Sequence, residues 1–228
     1  MKYSVVIILA LLSLCSYAQK GNIIAKFCPL ALFDDESFPT IQGGLEFKLS
    51  KKMTWYNEVG IKYRKSSLDN YVDTNFIKSG GFKVKTEIRY YINNKDKFSF
   101  AGNYIGVNIF FTKDKHNNQI DYYHNGDTSK TLTDAFGVTR NVWGVNFVFG
   151  HQHTLNKHML LDYYCGFGFQ VRNISTIDEE YNYKTDYSLN QSTDPNFRLW
   201  RLSTDANADE WNKVVPNFTI GLRLCFKK

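Results

Sequence analysis

The chain has 228 residues, a net charge of +6 and a mean hydropathy of −0.38, and 16% of its residues are aromatic. Beyond residue 14 no apolar stretch approaches the roughly 20 residues of a membrane helix, so helical spans are excluded. The Lys and Arg residues are scattered, which excludes a nucleic-acid surface.

Met1, Lys2 and Tyr3 are followed by an apolar run from Val5 to Leu14 and then by Ser16-Tyr17-Ala18-Gln19. A basic start, a short apolar core and a small-x-small ending predict a secretory signal peptide over residues 1–18. The mature domain is then 19–228. Leu14 stands where a lipoprotein signal needs a small residue, which argues against acylation of Cys15. Cys28, Cys165 and Cys225 remain, an odd number without regular spacing, so no disulfide framework is expected.

Period-two alternation then predicts eight strands. An irregular run covers 22–33, with Pro29 marking a bulge or a break in pairing. Clearer runs follow at 40–50, 53–64, 81–93, 98–112, 138–152 and 157–172. The last, 217–227, starts after Pro216 and sets Phe218, Ile220, Leu222, Leu224 and Phe226 on one face. Short connections, at 51–52, 94–97 and 155–156, alternate with long ones at 34–39, 65–80, 113–137 and 173–216. Outer-membrane barrels show this asymmetry, with short periplasmic turns and longer extracellular loops. Both chain ends would be periplasmic.

Alternation alone leaves open which face is buried. A soluble lipocalin-like barrel turns its apolar face inward around a ligand; a membrane barrel turns it to lipid. The polar face carries Glu46, Lys48, Glu58, Lys62, Lys85, Glu87, Arg89, Asp162 and Arg223. Both signs at matched depths suit a lumen closed by mutual ion pairs, because an unpaired charge in a narrow interior is costly. Trp55, Tyr63, Tyr90, Phe98, Trp143 and Phe226 fall near predicted strand ends, where interfacial aromatic girdles sit. The expectation is an all-β, eight-stranded, antiparallel up-and-down transmembrane barrel in the outer membrane. Its interior would be filled by side chains, unlike a general porin.

Ser16-Tyr17-Ala18-Gln19, Pro29-Leu30-Ala31-Leu32-Phe33, Glu87-Ile88-Arg89-Tyr90-Tyr91 and the closing Ile220-Gly221-Leu222-Arg223-Leu224-Cys225-Phe226 carry a family likeness. With these residues the chain resembles the small outer-membrane β-barrel proteins of the Bacteroidota, in particular the DUF3575-like set. Those are similar in shape to the OmpA and OmpW transmembrane domains. The resemblance implies location and fold and no reaction.

Candidates for chemistry are few. His151, His153 and Thr154 close the sixth predicted strand. A hydrolase there would need a carboxylate to orient the base, and no acid falls at a matching position. His116, Asp121, His124, Asp127 and Asp134 lie in the 113–137 connection at irregular spacing, unlike a metal motif. The 173–216 connection mixes Asp178, Glu179, Glu180, Asp186, Asp194, Asp205, Asp209 and Glu210 with Tyr181, Tyr183, Tyr187, Trp200 and Trp211. Acids of that kind bind calcium in other settings, and exposed Tyr and Trp suit partner or glycan recognition. The expectation is a monomeric structural or surface-interaction protein whose partners are outer-membrane lipid and an extracellular protein or glycan. No catalytic residue, cofactor, metal or nucleic acid is expected. The alternatives are a lipid-modifying barrel enzyme around His151 and His153, or the soluble ligand-binding barrel.

Overall fold

In the computed structural model, which describes residues 22–33, 38–64, 77–92, 100–182, 184–189 and 211–227, alternation becomes strand. The strands are β1 Ile23–Phe27, β2 Thr40–Lys48, β3 Met53–Lys62, β4 Gly80–Tyr91, β5 Gly102–Tyr123, β6 Thr131–Thr154, β7 Met159–Ile177, a two-residue β8 Tyr187–Ser188, and β9 Trp211–Phe226. Each barrel strand pairs antiparallel with the next in sequence, and β9 pairs with both β7 and β1. Eight strands thus close a ring, with β8 as an appendage on β5. No α-helix occurs among the described residues.

The wall is inside-out relative to a soluble core. Outward positions are apolar: Trp55, Val59 and Ile61 on β3, Ile105, Val107 and Ile109 on β5, Val145, Phe147 and Phe149 on β6, Phe218 and Ile220 on β9, all exposed. Inward positions are polar or charged, and Glu46, Glu87, Arg89, Asp162 and Arg223 are fully buried. Tyrosines fit among them because glycines stand opposite. Tyr104 lies across from Gly150 and Tyr164 across from Gly221. A Cβ added at either glycine would come within 2.3 Å of the facing ring.

Three predicted boundaries are corrected. The first strand does not reach residue 33: it stops at Phe27, and Pro29–Phe33 forms a 3-10 turn. Pro29 has no N–H to offer a ladder, whereas the Cys28 N–H still donates to the Gln42 carbonyl at 3.0 Å. The 113–137 segment is a hairpin rather than a loop, its ladder running unbroken from Gly102↔Gln152 to Tyr123↔Thr131. A turn with Asn125 and Gly126 at φ 50° and 76° closes it, the left-handed region that these residues tolerate best. The last strand starts at Trp211 and passes through Pro216, in a stretch whose β1-side edge is paired by no described strand. A proline is tolerated on such an edge. Phe98 lies outside the described residues.

The interior is layered. Ile24, Phe100, Leu160 and Cys225 plug the end that carries the 49–52 and 155–158 turns. Charged and tyrosine side chains fill the middle. A cavity of about 570 Å³ follows toward the opposite end. Beyond the wall the pattern inverts: Ile120, Tyr122, Phe136, Val138, Ile174 and Tyr181 pack as a small apolar core beneath the protruding hairpin.

Candidate functional site in the barrel lumen

The middle layer gathers four carboxylates, Glu46, Glu58, Glu87 and Asp162, with four cations, Lys26, Lys85, Arg89 and Arg223. Their six strands enter in alternating phase, so side chains remote in sequence converge on the axis. Lys26 bridges Glu46 at 2.6 Å and Asp162 at 2.7 Å. Arg89 reaches Glu87 at 2.6 Å and Asp162 at 2.9 Å. Arg223 holds Glu58 at 2.9 Å, with Glu87 and Asp162 at 3.6 and 3.5 Å. Lys85 completes the Glu58 pair at 3.1 Å.

Hydroxyls take up remaining acceptor capacity. Tyr91 donates to Glu46 at 2.9 Å and Tyr104 to Asp162 at 2.7 Å. Tyr56 and the Gln42 amide donate to Glu58, and Thr54 to Glu46. The guanidinium of Arg223 lies 3.8 Å from the Tyr164 ring centroid and 4.6 Å from that of Tyr56. Equal numbers of opposite charges, each hydrogen-bonded, are what make burial of ions tolerable. Such an arrangement locks side chains in place.

Seven of the nine predicted polar-face residues belong to this layer. Glu46, Glu58, Glu87, Arg89, Asp162 and Arg223 lie in the network with Lys85 at its upper edge. Lys62 sits higher, 3.0 Å from Asp114. Lys48 sits at the plugged end, its ammonium 5.2 Å from the Phe100 ring centroid. Sequence reasoning missed Lys26 because Pro29 cuts its strand short. The one available signal was Lys26 between Ile24 and Cys28, opposite Ile23, Ala25 and Phe27.

His151, His153 and Thr154 come out elsewhere. The two histidine rings stack at 6.2 Å on the outer face, and His151 also packs on Tyr163 at 5.4 Å. The His151 Nδ1 bonds the Asn103 side-chain carbonyl, an amide and not a carboxylate.

The acids of the opposite end tie the β7–β9 connection onto the hairpin. Asp134 accepts the Glu180 and Tyr181 N–H groups at 2.7 and 2.8 Å. Asp186 accepts the Asn125 and Asn182 N–H groups, with His124 at 3.0 Å. Asp121 accepts the Thr133 hydroxyl, and Asp127 caps the Ser129 N–H. His116 pairs inward with Asp114 at 3.0 Å. Asp178 takes a positive φ of 61° where β7 ends. Glu179 and Glu180 follow it, and Tyr187 pairs with Tyr123. Asp194, Asp205, Asp209, Glu210, Tyr183 and Trp200 lie outside the described residues, as does the side chain of Trp211. Among the described residues no three His, Cys, Asp or Glu side chains cluster as metal ligands.

Burial pushes the Asp186 carboxyl up, but the Asn182 and Asn125 amides and His124 outweigh it and hold it below the usual aspartate range. A depressed carboxylate contributes its stabilisation above the ordinary pKa of about 4 and loses it as pH falls through the lower folded value. The clasp should therefore open only below about pH 4. Hydrogen exchange at the Asn125 and Asn182 amides should accelerate there relative to β6 amides. Unchanged protection at pH 2 would contradict that role for Asp186.

No curated protein and no solved structure matches the chain significantly. A family model described as a protein of unknown function, DUF3575, matches residues 5–206, from the predicted leader through every barrel strand but β9. With most of its length matched, the chain belongs to the DUF3575 family.

Proposed function

We propose that this chain is a non-enzymatic outer-membrane barrel, sealed at its periplasmic end, that acts through the opposite end as a structural or surface-interaction protein. The supporting observation is the reversed wall: an apolar belt outside and a neutralised ionic interior. Exposed Phe, Ile, Val and Trp on consecutive strands form a surface that water does not favour. The four outward residues from Trp143 to Phe149 span about 20 Å along the strand, or about 15 Å of height at the tilt of barrel strands, which covers the middle of an apolar band of about 25 Å. The same pattern disfavours the lipocalin-like alternative, whose apolar face would point inward. The rim histidines, without an orienting acid, give the enzyme alternative little support.

Two cysteine probes in a Cys165→Ser background test the orientation. Cys165 is the exposed native thiol among the described residues, and Cys28 and Cys225 are buried. Ser129→Cys at the hairpin tip should react with a membrane-impermeant maleimide on intact cells. Lys51→Cys at the tight turn should react only after lysis. Labelling of Lys51→Cys on intact cells would invert the topology. Recovery of the protein in soluble extracts without detergent would overturn the membrane reading itself.

A further inference from the structure

The ring closes over a short distance. β7 matches β9 residue for residue from Phe226 back to Trp211, but β1 matches it only at Leu224, Cys225 and Phe226. Above Leu224, no described strand pairs with that edge of β9. The 570 Å³ cavity lies against this stretch of β9. All seven residues 216–222 line it, so it meets the strand's inner face, its edge and its outer face. Leu30 and Ala31 of the 3-10 turn line it too. The cavity therefore reaches through the wall at the seam.

Its lining has two characters. Inside stand Lys83, Lys85, Arg140 and Arg172, with the Glu58 carboxylate in the lining and Asp114 at 4.0 Å from Arg140. At the wall stand Leu30, Phe218, Ile220 and Leu222. Next to cavity-lining Asn146 is Asn108, fully buried, whose Nδ2 has no hydrogen-bond partner among the described residues. Unpaired backbone facing hydrocarbon costs several kcal/mol per group and persists only where it borders a cavity or is covered. The volume is that of a small-molecule site, and the ionic layer below closes it as a dead end. The Pro29–Phe33 turn packs against both β2 and β9, so it covers part of the edge that a partner strand would need.

We propose that the seam is a side entrance for a single-chain anionic amphiphile, and the proposal rests on the membrane reading above. The carboxylate or phosphate head sits among Lys83, Lys85, Arg140 and Arg172. The acyl chain leaves between Leu30 and the Phe218, Ile220 and Leu222 side chains.

The test uses the full-length protein in neutral detergent, with heat-modifiable migration and detergent-dependent solubility checked first. Those checks report on the barrel reading alone. Four probes are then compared by equilibrium binding: a long-chain fatty acid, a lysophosphatidic acid, an alkyltrimethylammonium of equal chain length, and free inorganic phosphate. Binding of either single-chain anion supports the proposal, and its identity separates a carboxylate from a phosphate source. Arg140→Gln/Arg172→Gln should weaken the anions about tenfold or more, the loss expected for charge-assisted hydrogen bonds. Thr219→Phe, which places bulk in the cavity, should abolish binding while heat-modifiability is kept. Equal binding of cationic and anionic amphiphiles, no response to the arginine substitutions, or cross-linked dimers joined through β9 would each overturn the proposal.

Discussion

Replacing Arg223 with methionine should destabilise the folded barrel by about 3 kcal/mol, toward the lower end of the 3–5 kcal/mol found when one partner of a buried ion pair is removed. Arg223 is fully buried and touches three carboxylates, Glu58, Glu87 and Asp162. Its loss leaves Glu58 with Lys85 alone among cations, which keeps the effect from the upper end. Glu87 keeps Arg89, and Asp162 keeps Lys26 and Arg89. Adding Glu58→Gln to Arg223→Met should recover a large part of the loss, because neutralising both partners removes the stranded charge. Urea midpoints in lipid vesicles measure both variants. A single variant as stable as the parent would mean that the network contributes nothing to holding the ring closed.

Phe147→Arg should separate a lipid-facing wall from a wet one. Phe147 is flanked outward by Val145 and Phe149 and is paired across the sheet with Val107 and Phe167. Its ring centroid is 6.1 Å from that of Phe167. At mid-bilayer an arginine on the lipid face costs about 2–4 kcal/mol. On a water-exposed surface the same exchange falls within about 0.5 kcal/mol of neutral. Ser129→Arg at the hairpin tip serves as the control and should change nothing. Phe147→Arg with an unchanged midpoint in vesicles would count against the membrane reading directly.

The parts of the fold legible in sequence are those where one face is uniformly apolar and the other charged. β3, β4 and β7 announce themselves this way, and the register follows because a one-residue slip would drive Glu58 or Arg89 into the outer face. The 113–137 hairpin was not legible. There the apolar face turns inward and Asn, Asp and His dilute the alternation, so the period of two survives only in Ile120, Tyr122, Phe136 and Val138. The charged lumen was visible as a set of acids and bases but not as pairs. Pairing depends on how far each strand is staggered around the ring, which no local pattern encodes. Tyr56, Tyr91 and Tyr104 were likewise readable as inward residues. Their role as donors to specific carboxylates needed the three-dimensional arrangement. The open seam could not be anticipated, because it follows from where β1 stops relative to β9.

The position of Arg223 in the last strand has a consequence for how the protein is made. Until β9 arrives, the nascent ring holds four interior carboxylates and only three of their four cations, Lys26, Lys85 and Arg89. Charge neutrality and ring closure are therefore one event, delivered by residues more than 130 positions from Arg89. Contacts of such long range slow folding while making the finished state hard to leave by partial opening. A chain that stalls before β9 carries an uncompensated charge in its interior, a built-in mark of incompleteness on which quality-control proteolysis can act.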